Sequence, residues 1–304
     1  MLYISTRNNT DTYTAHRALH KEFAPDGGFF VPFYLPTFSP EAINYFSKKP
    51  AYETMAEILN LFFSVRLCAS DIEDALGKDA LTCENLNQNV SVIELWHTAE
   101  GNSEYLFKKL NYLLSGDLQF PVGWARIAIE ISLLFSMLSI CKQKAFDIAV
   151  SASDLASITA ISYAKAMGLP VQKTICACED DCLLWEMINK GECSASNTPV
   201  YMELYLYKVL GGEIAADFVK SKENNLLFRI DEEHIPGLSE QYYPAVVSCE
   251  RANSIITGIF RANQYIFDFD AAFSYGSLQD YRASTGINNQ TVIFSNKKPD
   301  RIKE

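Results

Sequence analysis

Four short stretches hold the residues best placed to do chemistry. "VIELWH" ends on His97 and runs into "TAEGNSEYLFKKL", where Glu104, Lys108 and Lys109 fall in a helical pattern. "GWARI" sets Arg126 near the start of a long apolar helix, where it can anchor an anion or pair structurally; a lone arginine on such a helix more often pairs. "SASDLAS" carries Ser153, Asp154, Ala156 and Ser157 across a strand-to-helix turn. A helix N-terminus is an anion site, but Asp154 there reads as an ordinary N-cap. His97 ends a strand, where holding a carbonyl is the commoner task. "CACEDDC" offers Cys176, Cys178 and Cys182, yet the spacing is not a CxxC pair and no second pair follows, so no metal is assigned. With four histidines, no Ser-His-Asp or Cys-His arrangement is spaced locally.

These residues need a scaffold, and the apolar pattern supplies one. "AHRALHKEF", "SPEAINYFSK", "YETMAEILNLFFSV" and "SDIEDALGK" have helical spacing, so the first ninety residues read as mostly helical. "VSVIEL" (90–95) reads as a buried strand, followed by helices over about 104–115 and 123–142. Strands then alternate with helices: "FDIAV", "VQKTICAC", "YIFDF" and "TVIFS" are the strands. That alternation predicts an α/β protein with a parallel sheet flanked by helices.

Composition narrows the partners. A formal charge of −11 with no basic cluster beyond the tail "NKKPDRIKE" argues against nucleic acid and against an anionic membrane surface. The longest apolar run, "ISLLFSMLSI", is too short to span a bilayer. The opening "MLYISTRNNTD" lacks the basic stretch and apolar core of a signal peptide. The eight cysteines then read as reduced thiols, and a cytoplasmic location is expected.

Several segments together resemble the threonine synthase family, pyridoxal phosphate (PLP) enzymes of the tryptophan-synthase-β-like fold (fold type II). "YISTR" with "APDGGFFVP" is similar to the family's N-terminal signature, and "VIELWH" to the strand before its lysine motif HGPTxAFKD. "GWARI" resembles NWARI, and "SDLASITAISYAKAMGLP" resembles GNFGNxLAGYYAKKMGLP. "YIFDFDAAF" and "VIFSNKKPDR" resemble the family's closing segments. The matches keep family order. The long small-domain segment between the lysine motif and NWARI is absent, bridged by "LSGDLQFPV". The resemblance therefore implies a helical cap at 1–89, a small-domain remnant at 90–122 and an α/β large domain at 123–304.

The resemblance also implies a site, and the site departs from the family. Counted without gaps, the Schiff-base lysine position holds Glu104, which cannot form an imine. Lys108 in "FKK" takes the role only after an insertion. The phosphate-cup glycines become Ser153 and Ala156, with Asp154 and Ser157 beside them, and the hydroxyl expected opposite the pyridine nitrogen becomes Ala271. His97 and Arg126 match family positions on the substrate side. Glu104, Asp154 and Asp270 would make the pocket acidic, the wrong sign for a phosphorylated cofactor and substrate. The expectation is a pseudoenzyme that does not hold PLP covalently and works by binding, as a homo-oligomer or in complex with another protein. Two rivals stand beside it: a shortened PLP-dependent carbon–oxygen lyase using Lys108, and a protein that binds a small anionic ligand through Arg126 and the helix start at Ser153.

Overall fold

The computed structural model describes residues 1–142, 145–179, 182–196 and 198–299. Asp180 and Asp181 of "CACEDDC" and the last five residues of the basic tail lie outside the described residues.

The first eighty residues form a cap of short elements. Strand β1 (Leu2–Ser5) lies between β2 (Tyr13–Thr14) and β3 (Phe30–Pro32) in a small antiparallel sheet. Helices α1 (Ala15–His20), α2 (Pro40–Phe46), α3 (Ala51–Phe63) and α4 (Ala69–Leu76) follow the apolar pattern. Thr14 caps α1, and Ser39 with Pro40 starts α2, as their residue types favour. The reading of the first ninety residues as mostly helical missed β1 to β3 and a further strand at Thr82–Asn87, because strands that are short or largely exposed show no apolar period of their own.

The body is one six-stranded sheet. Its elements are β4 (Thr82–Asn87), β5 (Val90–Glu94), α5 (Ser103–Ser115), α6 (Gly123–Cys141), β6 (Phe146–Ser151) and α7 (Leu155–Ala166). Next come β7 (Val171–Cys178), α8 (Leu183–Lys190), β8 (Glu192–Ser194), α9 (Met202–Leu210), α10 (Gly212–Glu223) and β9 (Leu227–Arg229). The chain closes with α11 (Ile235–Gln241), β10 (Tyr242–Val246), α12 (Cys249–Asn263), α13 (Phe269–Thr285) and β11 (Thr291–Ser295). The order is β10-β7-β6-β11-β5-β4, parallel throughout except for β4 on the edge, while β8 and β9 pair apart from it. β5 therefore lies inside the same sheet as the later strands.

Helices cover both faces, with α6 and α7 on one and α13 on the other. α6 is long and apolar enough to cross a bilayer, yet 89% of its apolar window is buried inside the protein, which makes it a core helix. Its first residue, Gly123, sits at φ 54°, and a Cβ there would come within 2.7 Å of the Glu22 carbonyl oxygen. Only glycine fits that approach. The expected strand "YIFDF" does not form. Tyr265 to Asp268 are irregular, and α13 begins at Phe269. Phe267 is buried in the core, and the Tyr265 hydroxyl donates to Glu94 at 2.8 Å, so tertiary contacts account for the apolar alternation.

Candidate functional site

The carboxyl ends of β5, β6 and β11 and the N-terminal ends of α5, α7 and α13 meet around a cavity of about 410 Å³. In open parallel sheets this is where ligands bind, in the crevice beyond the strand ends. Leu95, Phe107, Leu133, Leu134, Ile161 and Phe294 make its walls largely apolar. Glu104, Arg126, Glu130, Asp154, Ser157 and Asp270 bring the charge and hydrogen bonding.

Arg126 is the hub. Its side chain is 7% exposed, and its Nη2 bridges Asp154 Oδ2 at 2.9 Å and Glu130 Oε1 one helical turn on. The guanidinium carbon lies 3.7 Å from the centroid of the Phe107 ring and 4.9 Å from that of Phe120. Its Nη1 is buried without a hydrogen-bond partner among the described residues.

Asp154 caps α7 as its residue type predicts. Its Oδ1 accepts from the backbone N–H of Ala156 at 3.1 Å and of Ser157 at 3.4 Å. Those are the donors an anion at this helix start would use. The Ser157 hydroxyl lies 3.0 Å from both Asp154 Oδ2 and Glu130 Oε1, so one proton serves two carboxylates. Burial pushes the Glu130 carboxyl up to about 7; Arg126 pulls it down, and the neighbouring Asp154 charge adds to the rise. A carboxyl on a cavity wall that titrates near neutrality is a functional-site signature.

Glu104 lines the cavity and pairs with Lys108 Nζ at 2.6 Å across one turn of α5. That hydrogen bond raises the pKa of the Lys108 amine, which keeps it an ammonium rather than a nucleophile. Lys108 itself is not on the cavity wall, whereas Leu106, Phe107 and Leu110 face the core as expected.

The remaining candidates scatter. His97 stacks on Trp96 and its Nε2 meets Glu94 Oε2 at 2.6 Å, in a loop outside the cavity. Buried Glu94 also accepts from Thr82 and Tyr265, so His97 belongs to a structural network. Ser153 turns to Ser151 at 2.8 Å and lines a different cavity. Ala156 and Ala271 are buried, and the Ala271 N–H donates to Asp268, the N-cap of α13, at 2.7 Å. Asp268 Oδ2 accepts from the backbone N–H of Asn296 and Lys297, tying down the end of β11. Cys176 and Cys178 are buried at the end of β7.

Sequence reasoning missed Glu130 and Lys297, both on the cavity wall. Glu130 had a readable signal, an acid four residues after Arg126 inside an otherwise apolar helix. Lys297 had none, because only the return of β11 beside β5 brings it near.

Comparison with known proteins bears on the fold that carries this site. A family model described as the threonine synthase N terminus matches residues 2–78. The threonine synthase-like 2 proteins of Mus musculus and Pongo abelii are 28% and 30% identical over 129 residues, 40% of this chain. The aligned stretch spans 26% and 25% of those relatives, about a quarter of their length. A PLP-bound threonine synthase from Brucella melitensis superposes with a TM-score of 0.80 at 18% identity, covering 98% of this chain and 89% of that one. Threonine synthase from yeast follows at 0.78 and 16%, covering 98% and 87%. At such identities the superpositions speak to the fold alone.

Proposed function

We propose that this chain, a relative of the threonine synthase family, is a catalytically inactive homologue that binds a ligand instead of converting it. The carrying observation is the Asp154 carboxylate on the donors at the start of α7. A PLP phosphate needs those donors free and would face the charge that holds them, so the residues present do not fit the phosphate. Two further features support the reading. The ungapped lysine position holds Glu104, and Lys108 is tied to it as an ammonium. The hydroxyl expected opposite the pyridine nitrogen is replaced by buried Ala271. The small-domain remnant at 90–122 belongs to the same proposal.

The ligand this cavity suits is a small organic molecule without a phosphate. Its body would rest on the apolar walls, and its donors would meet Asp270 and Glu130. Self-association is the assembly form of this reading. Leu118, Phe120 and Val122, in the segment bridging α5 and α6, are 54%, 38% and 44% exposed, as expected of a surface waiting for a partner. Sedimentation should give a species larger than a monomer, and Val122→Asp should weaken it; a well-behaved monomer overturns this part.

The deciding experiment for the inactive reading is the visible spectrum with added PLP, followed by borohydride reduction and peptide mass mapping. No specific aldimine is expected. A single reduced adduct at Lys108 or Lys297 would overturn the inactive reading's premise by showing that PLP is held covalently. Thermal stabilisation by inorganic phosphate that disappears in Arg126→Ala would instead make it an anion binder.

A further inference from the structure

Beyond the cavity, two cysteines far apart in sequence meet at the other end of α6. Cys83 lies on the edge strand β4, and Cys141 is the last residue of α6. Their Sγ atoms are 3.8 Å apart across a sequence separation of 58 residues. Both are partly exposed and pack against the main core. All eight cysteines are free thiols, and three of the other six, Cys176, Cys178 and Cys193, are buried.

We propose that Cys83 and Cys141 are a redox-active pair that closes to a disulfide by exchange with a small-molecule disulfide such as oxidised glutathione. Closure brings the two sulfurs from contact to bonding distance, about 2.05 Å, through side-chain rotation at a sheet edge and a helix end. Either sulfur can donate across this contact; with the proton on Cys141, the hydrogen bond lowers the pKa of Cys83 and raises that of Cys141. Cys83 is therefore the attacking thiolate. It bonds to one sulfur of the small disulfide, and the first glutathione leaves as thiolate. Cys141 then loses its proton and attacks Cys83 Sγ, and the second glutathione leaves. Two protein thiols give up two protons and two electrons, and one small disulfide becomes two thiols.

The closed loop encloses β5, α5, the bridging segment and all of α6. It thus contains nine of the cavity-lining residues, Phe107, Phe120, Arg126 and Glu130 among them. Oxidation ties this segment to the sheet edge and leaves Arg126 and Glu130 chemically untouched. The inference is independent of whether PLP binds.

The test uses the full chain in glutathione buffers of graded redox ratio, alkylated and digested without reduction. A linked Cys83–Cys141 peptide is expected before any other crosslink, with the thiol titre in denaturant falling by two. A loop of this size should raise Tm by about 5–10 °C. Cys83→Ser and Cys141→Ser should each lose both the linked peptide and the shift, while Cys249→Ser keeps them. Glutathione left on Cys83 without closure, or a Cys178–Cys182 crosslink forming while Cys83 and Cys141 stay free, overturns the proposal.

Discussion

The starts of α7 and α13 use one device to different ends. Each is capped by an aspartate, Asp154 and Asp268, and each faces the carboxyl ends of the parallel strands. Asp268 is buried and surrounded by protein donors: the N–H of Ala271, Asn296 and Lys297, and the Ser295 hydroxyl. It fastens β11 to α13. Asp154 is 43% exposed at its side chain and shares its carboxylate between α7 and Arg126 on the cavity wall. A cap whose far oxygen is held by backbone is structural. One whose far oxygen meets a buried guanidinium on a cavity wall also shapes that cavity.

The strongest way to break the comparison is Asp268→Ala. Removing a buried acceptor of this many hydrogen bonds should cost about 3 kcal/mol, read by urea unfolding. A cost no larger than that of Asp154→Ala would erase the contrast.

Next is the pH dependence of Glu130. Its folded pKa is raised from an ordinary 4.5 to about 7, so its contribution to stability is full below 4.5 and is lost as pH climbs through 7. Glu130→Gln should remove about 2–3 kcal/mol of the stability decline between pH 4.5 and 7.5. An unchanged slope would mean the carboxyl is not desolvated in solution.

Asp154→Ala sharpens the comparison from the other side. It should cost about 1 kcal/mol as a lost cap, yet free the donors of Ala156 and Ser157. Sulfate should then stabilise the variant more than the parent protein, as seen in a thermal shift series. No gain would mean that Asp154 is not what blocks an anion there. The smallest effect is assigned to Lys108→Ala, whose amine serves an exposed pair with Glu104. Unfolding midpoint and PLP absorbance should both stay unchanged.

Much of the scaffold was legible from residue pattern. β7 and β11 occupy the stretches "VQKTICAC" and "TVIFS", and α7 follows the Asp154 cap, because a largely buried parallel strand and a capped helix are local signals. The irregular turn at Tyr265 to Asp268 was not legible. Its alternating apolar residues are anchored by Glu94 and the core, contacts far away in the chain. The site divided the same way. Asp154 was readable as a cap, and an acidic pocket of Glu104, Asp154 and Asp270 was anticipated. Glu130 had only its spacing from Arg126 to mark it, because a helix buried on every side has no polar face to flag an inward acid.

The sequence by itself determined the alternation of strands and helices and the Asp154 cap, since each depends on residues within a turn or two of one another. The tertiary structure alone decided that Arg126 is held between Glu130 and Asp154, that Lys108 stays off the cavity wall, that His97 serves Glu94, and that Cys83 meets Cys141. Those outcomes depend on which strand returns beside which, and on how far burial raises the cost of an unpaired charge.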